Sequence, residues 1–296
     1  MMQESSAYQL ADWNGPNGER WVANQRRLDA MLAVFGNAAI AAGAAATGER
    51  VLDVGCGAGA TSFALAERVG PLGHVLGIDI SAPLIARAEA IGPHGRPVAF
   101  QLADAATARF DGQGFDGQNL DSQGFDLIFS RFGVMFFDDP AAAFRNLRRA
   151  LKPTGRLAFV CWRGAKENDW VRLPMDAIRQ IVAPPPPPDP DAPGPFSFGD
   201  RDRVRRLLTE AGFADILIEP FDHAIPFGAG ATREAAIDDA VEMASEVGPL
   251  SRLLADQPDA VRSRAREAVR AAFATKPGEQ SILIEGAAWI VTAHNP

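Results

Sequence analysis

The sequence predicts an α/β fold, in which a mostly parallel sheet is covered by helices on both faces. Strand-length apolar runs alternate with helical patterns over residues 51–162, which is typical of right-handed βαβ units. A glycine-rich turn also joins the first strand of this region to its first helix. The predicted strands are 51–54, 74–79, 97–102, 125–130 and 156–162, and the predicted helices are 60–69, 82–91 and 140–150.

The turn after the first strand carries the first indication of a ligand. Gly55, Gly57 and Gly59 stand at alternate positions between the strand and the helix. Glycine permits positive φ and a close approach of the backbone to a ligand, and a helix N-terminus offers free N–H groups. The turn predicts a phosphate or nucleotide site. Because Gly55, Gly57 and Ala60 also satisfy the dinucleotide pattern, the turn alone does not select a cofactor.

Three aspartates follow the strands in a regular way. Asp53 lies inside the first strand, Asp79 ends the second, and Asp104 follows the third. Open α/β sheets bind ligands at the carboxyl ends of their strands. At those ends Asp79 can accept both ribose hydroxyls, Asp104 can meet an adenine amino group, and Asp53 can meet the turn amides or a ligand amine. Any one of them is equally well explained as a helix cap or a surface charge, whereas the three together predict a nucleoside ligand.

The remaining patterns add helices before and after this region. We divide the chain into an N-terminal helical lid, 1–46, and one domain, 47–296, with its core at 48–163 and cap elements at about 164–200 and 230–275. Prolines 184–188 predict a stiff polyproline spacer, and the phrase Gln-Gly-Phe-Asp at 113–116 and 123–126 indicates a duplicated loop. The other predicted segments are helices 19–35, 37–45, 166–182, 200–211, 231–255 and 258–274, and strands 214–221 and 281–292.

Composition narrows the class of partner. The formal charge is −8 and the pI about 5.1, which opposes a nucleic-acid substrate and favours a small molecule. Two cysteines predict no disulfide framework, and no membrane span or signal peptide is indicated. We therefore expect a cytoplasmic protein. The histidines and acids show no metal-ligand spacing, so we expect no metal.

Five motifs occur in order along the chain: Val51–Gly59, Gly77–Ser81, Leu102–Ala105, Phe125–Ser130 and Leu151–Leu157. Together they resemble class I S-adenosylmethionine-dependent methyltransferases, most closely the branch that includes the ubiquinone and menaquinone C-methyltransferases. The resemblance implies a Rossmann-like sheet of seven strands with an antiparallel last strand, and S-adenosylmethionine as cofactor. The rival is a short-chain dehydrogenase using NAD, which needs a catalytic tyrosine with a lysine four residues on, but Tyr8 is the only tyrosine and residue 12 is an aspartate.

The same resemblance implies a role for each matching residue. The glycine turn would line the methionine portion of the cofactor, Asp53 would lie near its amine, and Asp79 would hold the ribose. Ser130 and Arg131 would lie below the methyl group. The cofactor-binding residues expected in full are Asp53, Gly55, Cys56, Gly57, Gly59, Asp79, Ile80, Asp104, Ala105, Ser130 and, from the lid, Trp21.

The methyl acceptor is expected to be a hydrophobic or aromatic small molecule. Methyl transfer from a sulfonium is an in-line displacement that proximity and desolvation can drive, so a general base is not required. His223 and Arg131 are the candidate catalytic residues, and residues 13–21, with Tyr8 and Gln25, are expected to close over the cofactor. The expected substrate pocket consists of Trp13, Phe132, Met135, Phe136 and Trp162, each of which core packing would also explain.

Two other functions fit the same sequence. One is a protein that binds S-adenosylmethionine or a partner without turnover, which the polyproline segment and the helical cap favour. The other is a methyltransferase acting on a protein or RNA, which the charge balance opposes. The acidic helices at 231–274 are expected to cover the pocket or to form a homodimer face.

Overall fold

A computed structural model describes residues 11–92, 95–110, 124–184, 189 and 192–296. Within these residues the chain forms a seven-stranded sheet in the order β3-β2-β1-β4-β5-β7-β6. This confirms the predicted α/β class. The strands are β1 Arg50–Val54, β2 His74–Asp79, β3 Val98–Leu102, β4 Phe125–Arg131, β5 Leu151–Trp162, β6 Ala214–Ala229 and β7 Ser281–His294.

Strand direction divides the sheet into two parts. Strands β1 to β5 are parallel to one another, whereas β7 runs antiparallel to both β5 and β6. The antiparallel last strand expected from the resemblance is confirmed. Because strand order reverses between β1 and β4, the carboxyl ends of these two strands form the topological switch point where such sheets bind ligands.

Among the described residues, two helices precede the first strand, and the others lie between the strands. No helix in the described part of the chain is both long and apolar enough to cross a membrane. The helices are α1 Pro16–Ala23, α2 Gln25–Gly43, α3 Ala60–Val69, α4 Ala82–Ile91, α5 Pro140–Ala150, α6 Asp169–Ile178, α7 Arg201–Glu210, α8 Arg233–Glu246, α9 Pro249–Leu254 and α10 Asp259–Ala274, with 3₁₀ turns at Val134–Phe136 and Ala165–Glu167.

The predicted break between the N-terminal helices was wrong. The sequence placed it at Gly36, but the helices break at Asn24, whose side-chain amide donates to the Arg20 carbonyl and the Glu246 carboxylate. Gly36 lies inside α2 at a close contact, because a Cβ there would lie 3.0 Å from Cδ of Arg131 and that side chain would have to shift. Tertiary contacts thus decided both positions.

Later elements also differ from the expected bounds. The predicted helix 231–255 divides into α8 and α9, because Gly248 adopts a φ of +99° and Pro249 begins the next helix. Strand β6 extends to Ala229 rather than to 221, because the long strand β7 pairs with it along nearly its whole length. The duplicated loop at 111–123 and prolines 185–188 lie outside the described residues.

Helices α8 to α10 connect β6 to β7, and α9 and α10 pack on α6. A buried ion pair links the two groups: the Asp169 carboxylate on α6 lies 2.7 Å from Nζ of Lys276, which follows α10. Arg172 binds the same carboxylate, and the Glu285 amide of β7 donates to it at 3.3 Å. The insertion is thereby joined to the sheet through one carboxylate.

Arg156 of β5 joins the C-terminal end of α2 to the sheet. Its Nε donates to the Gly43 carbonyl at 2.6 Å and its Nη2 to the Ala44 carbonyl at 2.8 Å. Both terminal nitrogens also bind Glu49, at 3.0 and 2.7 Å. One guanidinium therefore satisfies two terminal helix carbonyls and a half-buried carboxylate.

We predict that Arg156→Met lowers the free energy of unfolding by about 2–3 kcal/mol, because it leaves two carbonyls and Glu49 without their partner. Urea denaturation measures the change. Arg145→Met is the matched control, since its pair with Glu210 is exposed and should contribute less than about 1 kcal/mol. Equal losses for the two variants would contradict the assignment.

Candidate functional site

A cavity of about 440 Å³ lies at the switch point, at the carboxyl ends of β1, β2 and β4. Its walls come from the glycine turn, from the loops after β2, β3 and β4, and from the N-terminal segment before β1. The cavity therefore lies at the strand ends where the sequence predicts a ligand site. The residues that line the cavity include Trp13, Trp21, Gln25, Leu28, Asp29, Leu32, Gly55, Cys56, Gly57, Asp79, Ile80, Asp104, Ala105, Arg131, Phe132 and Phe136.

The three glycines of the turn have different roles. All have positive φ: +67° at Gly55, +55° at Gly57 and +88° at Gly59. A Cβ on Gly55 would lie 2.8 Å from Cα of Gly133, and one on Gly59 would lie 2.7 Å from the ring of Phe100. A Cβ on Gly57 would meet nothing within 4 Å. The outer two glycines thus permit chain packing, while Gly57 faces open space at the cavity.

Asp79 connects the glycine turn to the loop after β2. Its Oδ2 accepts a hydrogen bond from the Gly57 amide at 2.8 Å, and its Oδ1 accepts one from the Ser81 amide at 2.9 Å. Burial raises the pKa of Asp79, against the opposing effect of these amides. The carboxylate lines the cavity next to Ile80, as the sequence predicted, and retains lone pairs for a ligand hydroxyl.

The loop after β3 is fixed from two sides. Asp104 accepts hydrogen bonds from the Ala106 amide at 2.8 Å and from the Thr107 hydroxyl at 3.3 Å. Asn146 of α5 donates to the carbonyls of Ala105 and Ala108, both at 2.9 Å. Asp104 and Ala105 line the cavity as expected. Asn146 was missed by the sequence analysis, because a single amide in an amphipathic helix gives no signal.

Asp53 lies under the turn rather than on the cavity wall. Its side chain is fully buried, and Oδ2 accepts hydrogen bonds from the Thr61 hydroxyl at 2.7 Å and the Ser62 hydroxyl at 2.6 Å. Its Oδ1 has no hydrogen-bond partner among the described residues. The sequence offered the turn amides or a ligand amine as partners, but two hydroxyls at the start of α3 take that place. Burial raises the pKa of Asp53 to about 6.

We predict that Asp53 makes stability depend on pH. Its folded pKa of about 6 exceeds the ordinary value of 3.8, so the folded state binds the proton more tightly. Its contribution to the free energy of unfolding is therefore lost as pH rises from about 4 to above 6, by about 3 kcal/mol in all. Urea denaturation of wild type and Asp53→Asn across this range measures it, because the variant lacks that decline. Exposed Asp222→Asn is the control, and parallel curves for wild type and Asp53→Asn would contradict the prediction.

Four further residues predicted for the site pack behind the cavity. Ser130 is buried, donates to the Val54 carbonyl at 2.7 Å and accepts from the Gly133 amide at 3.2 Å. Gly59 packs against Phe100, as described above. Met135 and Trp162 are core residues, and the Trp162 ring stacks on Phe132 at 4.1 Å. Trp162 therefore supports a wall of the cavity without lining it.

His223 is not at the cavity. It is an exposed residue of β6, which is the edge strand of the sheet, and its ring stacks on Phe221. Two strands, β7 and β5, separate β6 from β4. The structure therefore gives His223 no contact with the site. Arg131, the other candidate, does line the cavity.

Part of the cavity lining is aromatic and apolar. Trp13 packs edge-to-face on Trp21 at 5.4 Å and on Phe136 at 5.6 Å, between ring centroids. Leu28 and Leu32 of α2 line the same cavity. The predicted pocket residues Trp13, Phe132 and Phe136 are thus brought together, in an environment suited to an apolar ligand.

The N-terminal segment is attached to the loop after β2. The Asn14 amide donates to the Ile80 carbonyl at 2.9 Å, and its oxygen accepts from the Ala82 amide at 2.8 Å. The Ser81 hydroxyl donates to the Trp13 carbonyl at 2.7 Å. These bonds hold Trp13 over the cavity, directly beside the loop that follows Asp79. Tyr8 lies outside the described residues.

A polar group at the cavity escaped the sequence analysis. Asp29 of α2 lies 3.0 Å from Nη2 of Arg131, and its second oxygen accepts from the Gln25 amide at 3.2 Å. The Gln25 oxygen in turn accepts from Nε of Arg87 at 2.8 Å. One acid in an amphipathic helix has the pattern of a surface charge, so only the tertiary structure identifies Asp29.

Comparisons with known proteins agree with this geometry. Residues 45–180 match the family model described as a methyltransferase domain. Aklanonic acid methyltransferase DauC of Streptomyces sp. strain C5 is 36% identical over 115 residues, 38% of this chain and 48% of that protein. Nocamycin O-methyltransferase of Saccharothrix syringae is 33% identical over 112 residues, 37% of this chain and 36% of that protein. The chain thus spans less than half the length of these relatives.

The fold is shared with solved structures over most of the chain. The YcgJ protein of Bacillus subtilis has a TM-score of 0.54 and 18% identity, covering 88% of this chain and 97% of that one. The methyltransferase-domain match includes β1 to β5 and the loops between them. Most of the lid and the helices between β6 and β7 lie outside it.

Proposed function

We propose that this protein is an S-adenosylmethionine-dependent methyltransferase that acts on a hydrophobic or aromatic small molecule. One observation carries the proposal: a single cavity has Asp79 and Asp104 at its strand ends and an aromatic lining around Trp13. The methyltransferase-domain match and the small-molecule acceptors in the relatives' names support it. The resemblance to quinone C-methyltransferases remains a finer prediction.

The cofactor fits the residues present. Asp79 would hold the ribose hydroxyls, and the loop at Asp104 and Ala105 would hold the adenine against Ile80. The open space in front of Gly57 accommodates the methionine portion, and Trp21 would cover it. When bound, S-adenosylmethionine supplies a methyl group on a sulfonium, which leaves as a neutral thioether.

The charge of the lining favours a cationic cofactor. A carboxylate field attracts a sulfonium and an ammonium, and the low dielectric of an apolar cavity strengthens the attraction. The described lining contains one basic residue, Arg131, against five acids: Asp29, Asp79, Asp104, Asp138 and Asp139.

The protein's own contribution to methyl transfer would be alignment and exclusion of water. The apolar rings hold the acceptor against the methyl group, so that an in-line displacement becomes effectively intramolecular. A binding protein without turnover is the alternative. The apolar part of the cavity lining favours an enzyme over a binding protein, since a protein that only bound the cofactor would need no room for an acceptor.

The proposal also includes where the protein is located, how it assembles and how the chain is divided. These are the cytoplasmic location, the homodimer, and the division into a lid at 1–46 and a domain at 47–296 with its core at 48–163 and caps at about 164–200 and 230–275.

We predict that the protein binds S-adenosylmethionine and S-adenosylhomocysteine, and that Asp79→Ala weakens both by about 1.5–3 kcal/mol, because it removes the acceptor of the ribose hydroxyls. Isothermal titration measures the affinities, and thermal denaturation of each free protein checks the fold. Asp222→Ala, at an exposed carboxylate on β6, should bind like wild type. No binding at millimolar ligand would reject the proposed function, and unchanged affinity in Asp79→Ala would reject the ribose assignment.

We predict that Asn14→Ala speeds release of S-adenosylhomocysteine about thirtyfold, because two hydrogen bonds of about 1 kcal/mol each no longer hold Trp13 over the cavity. Stopped-flow tryptophan fluorescence follows release. Asn37→Ala, at an exposed position of α2, is the control. Equal release rates in both variants would show that the segment is not a lid.

A further inference from the structure

We propose that Asp29 and Arg131 together bind the polar head group of the acceptor and select a neutral hydroxyl over a carboxylate or an ammonium. The inference rests on the proposed function and names its substrate class: an apolar or aromatic molecule bearing a phenolic, enolic or alcoholic hydroxyl.

The pair lies on the cavity wall and is partly accessible from it. Arg131 is the last residue of β4, and Asp29 lies in the second turn of α2, with Nη2 and Oδ1 3.0 Å apart. The two side chains are 12% and 29% exposed, and both line the cavity. The carboxylate is thus the more accessible partner. Arg131 is the one basic residue in the described lining.

Each partner is held in position by a separate contact. The stem of Arg131 lies against Gly36 of α2, where a Cβ would approach Cδ to 3.0 Å. Asp29 accepts from Gln25 through its other oxygen, and Gln25 accepts from Arg87. Orientation of both groups therefore precedes ligand binding, which is what a specific polar contact needs.

The neighbours of the pair are apolar. Leu28 and Leu32 flank Asp29 on α2, Phe132 follows Arg131, and all three line the cavity. A polar group buried in such surroundings is costly without a hydrogen-bond partner. An acceptor that places its rings on this apolar wall therefore gains most by directing its head group to Asp29 and Arg131.

The chemistry of the pair selects the head group. A hydroxyl donates one hydrogen bond and accepts others, so it can donate to Asp29 and accept from Arg131 without disturbing the ion pair. A carboxylate only accepts and meets the like charge of Asp29. An ammonium only donates and meets the like charge of Arg131. In a low-dielectric cavity each like-charge contact is unfavourable, which leaves the neutral hydroxyl as the preferred head group.

Three probes with one apolar body test this: 2-naphthol, 2-naphthoate and 2-naphthylmethylammonium, titrated into protein saturated with sinefungin, an unreactive analogue of S-adenosylmethionine that carries an ammonium where the cofactor has its sulfonium. The wild type should bind 2-naphthol at least tenfold more tightly than either ion. Asp29→Asn should bind 2-naphthoate at least fivefold more tightly than wild type does, because the like charge of Asp29 beside Arg131 is then removed. Arg131→Gln should strengthen binding of 2-naphthylmethylammonium in the same way.

These reciprocal gains separate recognition from a structural role, which would weaken all three probes together. Arg145→Gln and Glu210→Gln, at the exposed pair between α5 and α7, should leave the order of the probes unchanged. No preference for 2-naphthol in the wild type, or a preference that neither substitution alters, overturns the inference. Loss of S-adenosylhomocysteine binding by the wild type would instead reject the proposed function.

Discussion

The structure depends on the close approach of two backbones at the switch point. The turn after β1 and the loop after β4 meet where a Cβ on Gly55 would lie 2.8 Å from Gly133, and a Cβ on Gly133 would lie 2.8 Å from the Val54 carbonyl. The Ser130 hydroxyl bridges the same two segments. Because a Cβ on either glycine would clash with backbone atoms, this contact fixes how closely the turn after β1 and the loop after β4 approach each other at the cavity.

Whether the sequence could identify a residue at the cavity depends on whether that residue gives a local signal. Glycines in a turn and acids at strand ends are local signals, so Gly57, Asp79 and Asp104 could be predicted without a structure. Asp29 and Asn146 could not, since each is a single polar residue in an amphipathic helix and gains its role from a partner far away in sequence.

Residues assigned by their distance from a strand end were predicted less well. Ser130 lies near the end of β4 and Met135 follows it, yet both are buried in the core, because local alternation and the 3₁₀ turn at Val134–Phe136 decide which side chains reach the cavity. His223 was chosen as the histidine expected after the sixth strand, but β6 continues to Ala229, and this edge strand carries His223 away from the cavity. The fold followed from periodicity, whereas side-chain direction required the assembled sheet.

Arg131 acts on two carboxylates in different environments. It pairs with Asp29 at the cavity, and its charge also lowers the pKa of the buried Asp53 against the larger effect of desolvation. One guanidinium thus stabilises an acid on the cavity wall and an acid beneath the glycine turn. A ligand that drew Arg131 away from Asp29 or Asp53 would leave that carboxylate without its nearby positive charge, which raises the free energy of the ionised acid. The geometry therefore favours ligands that leave the arginine where it is. Under the proposed function, a neutral head group of the acceptor would meet that condition.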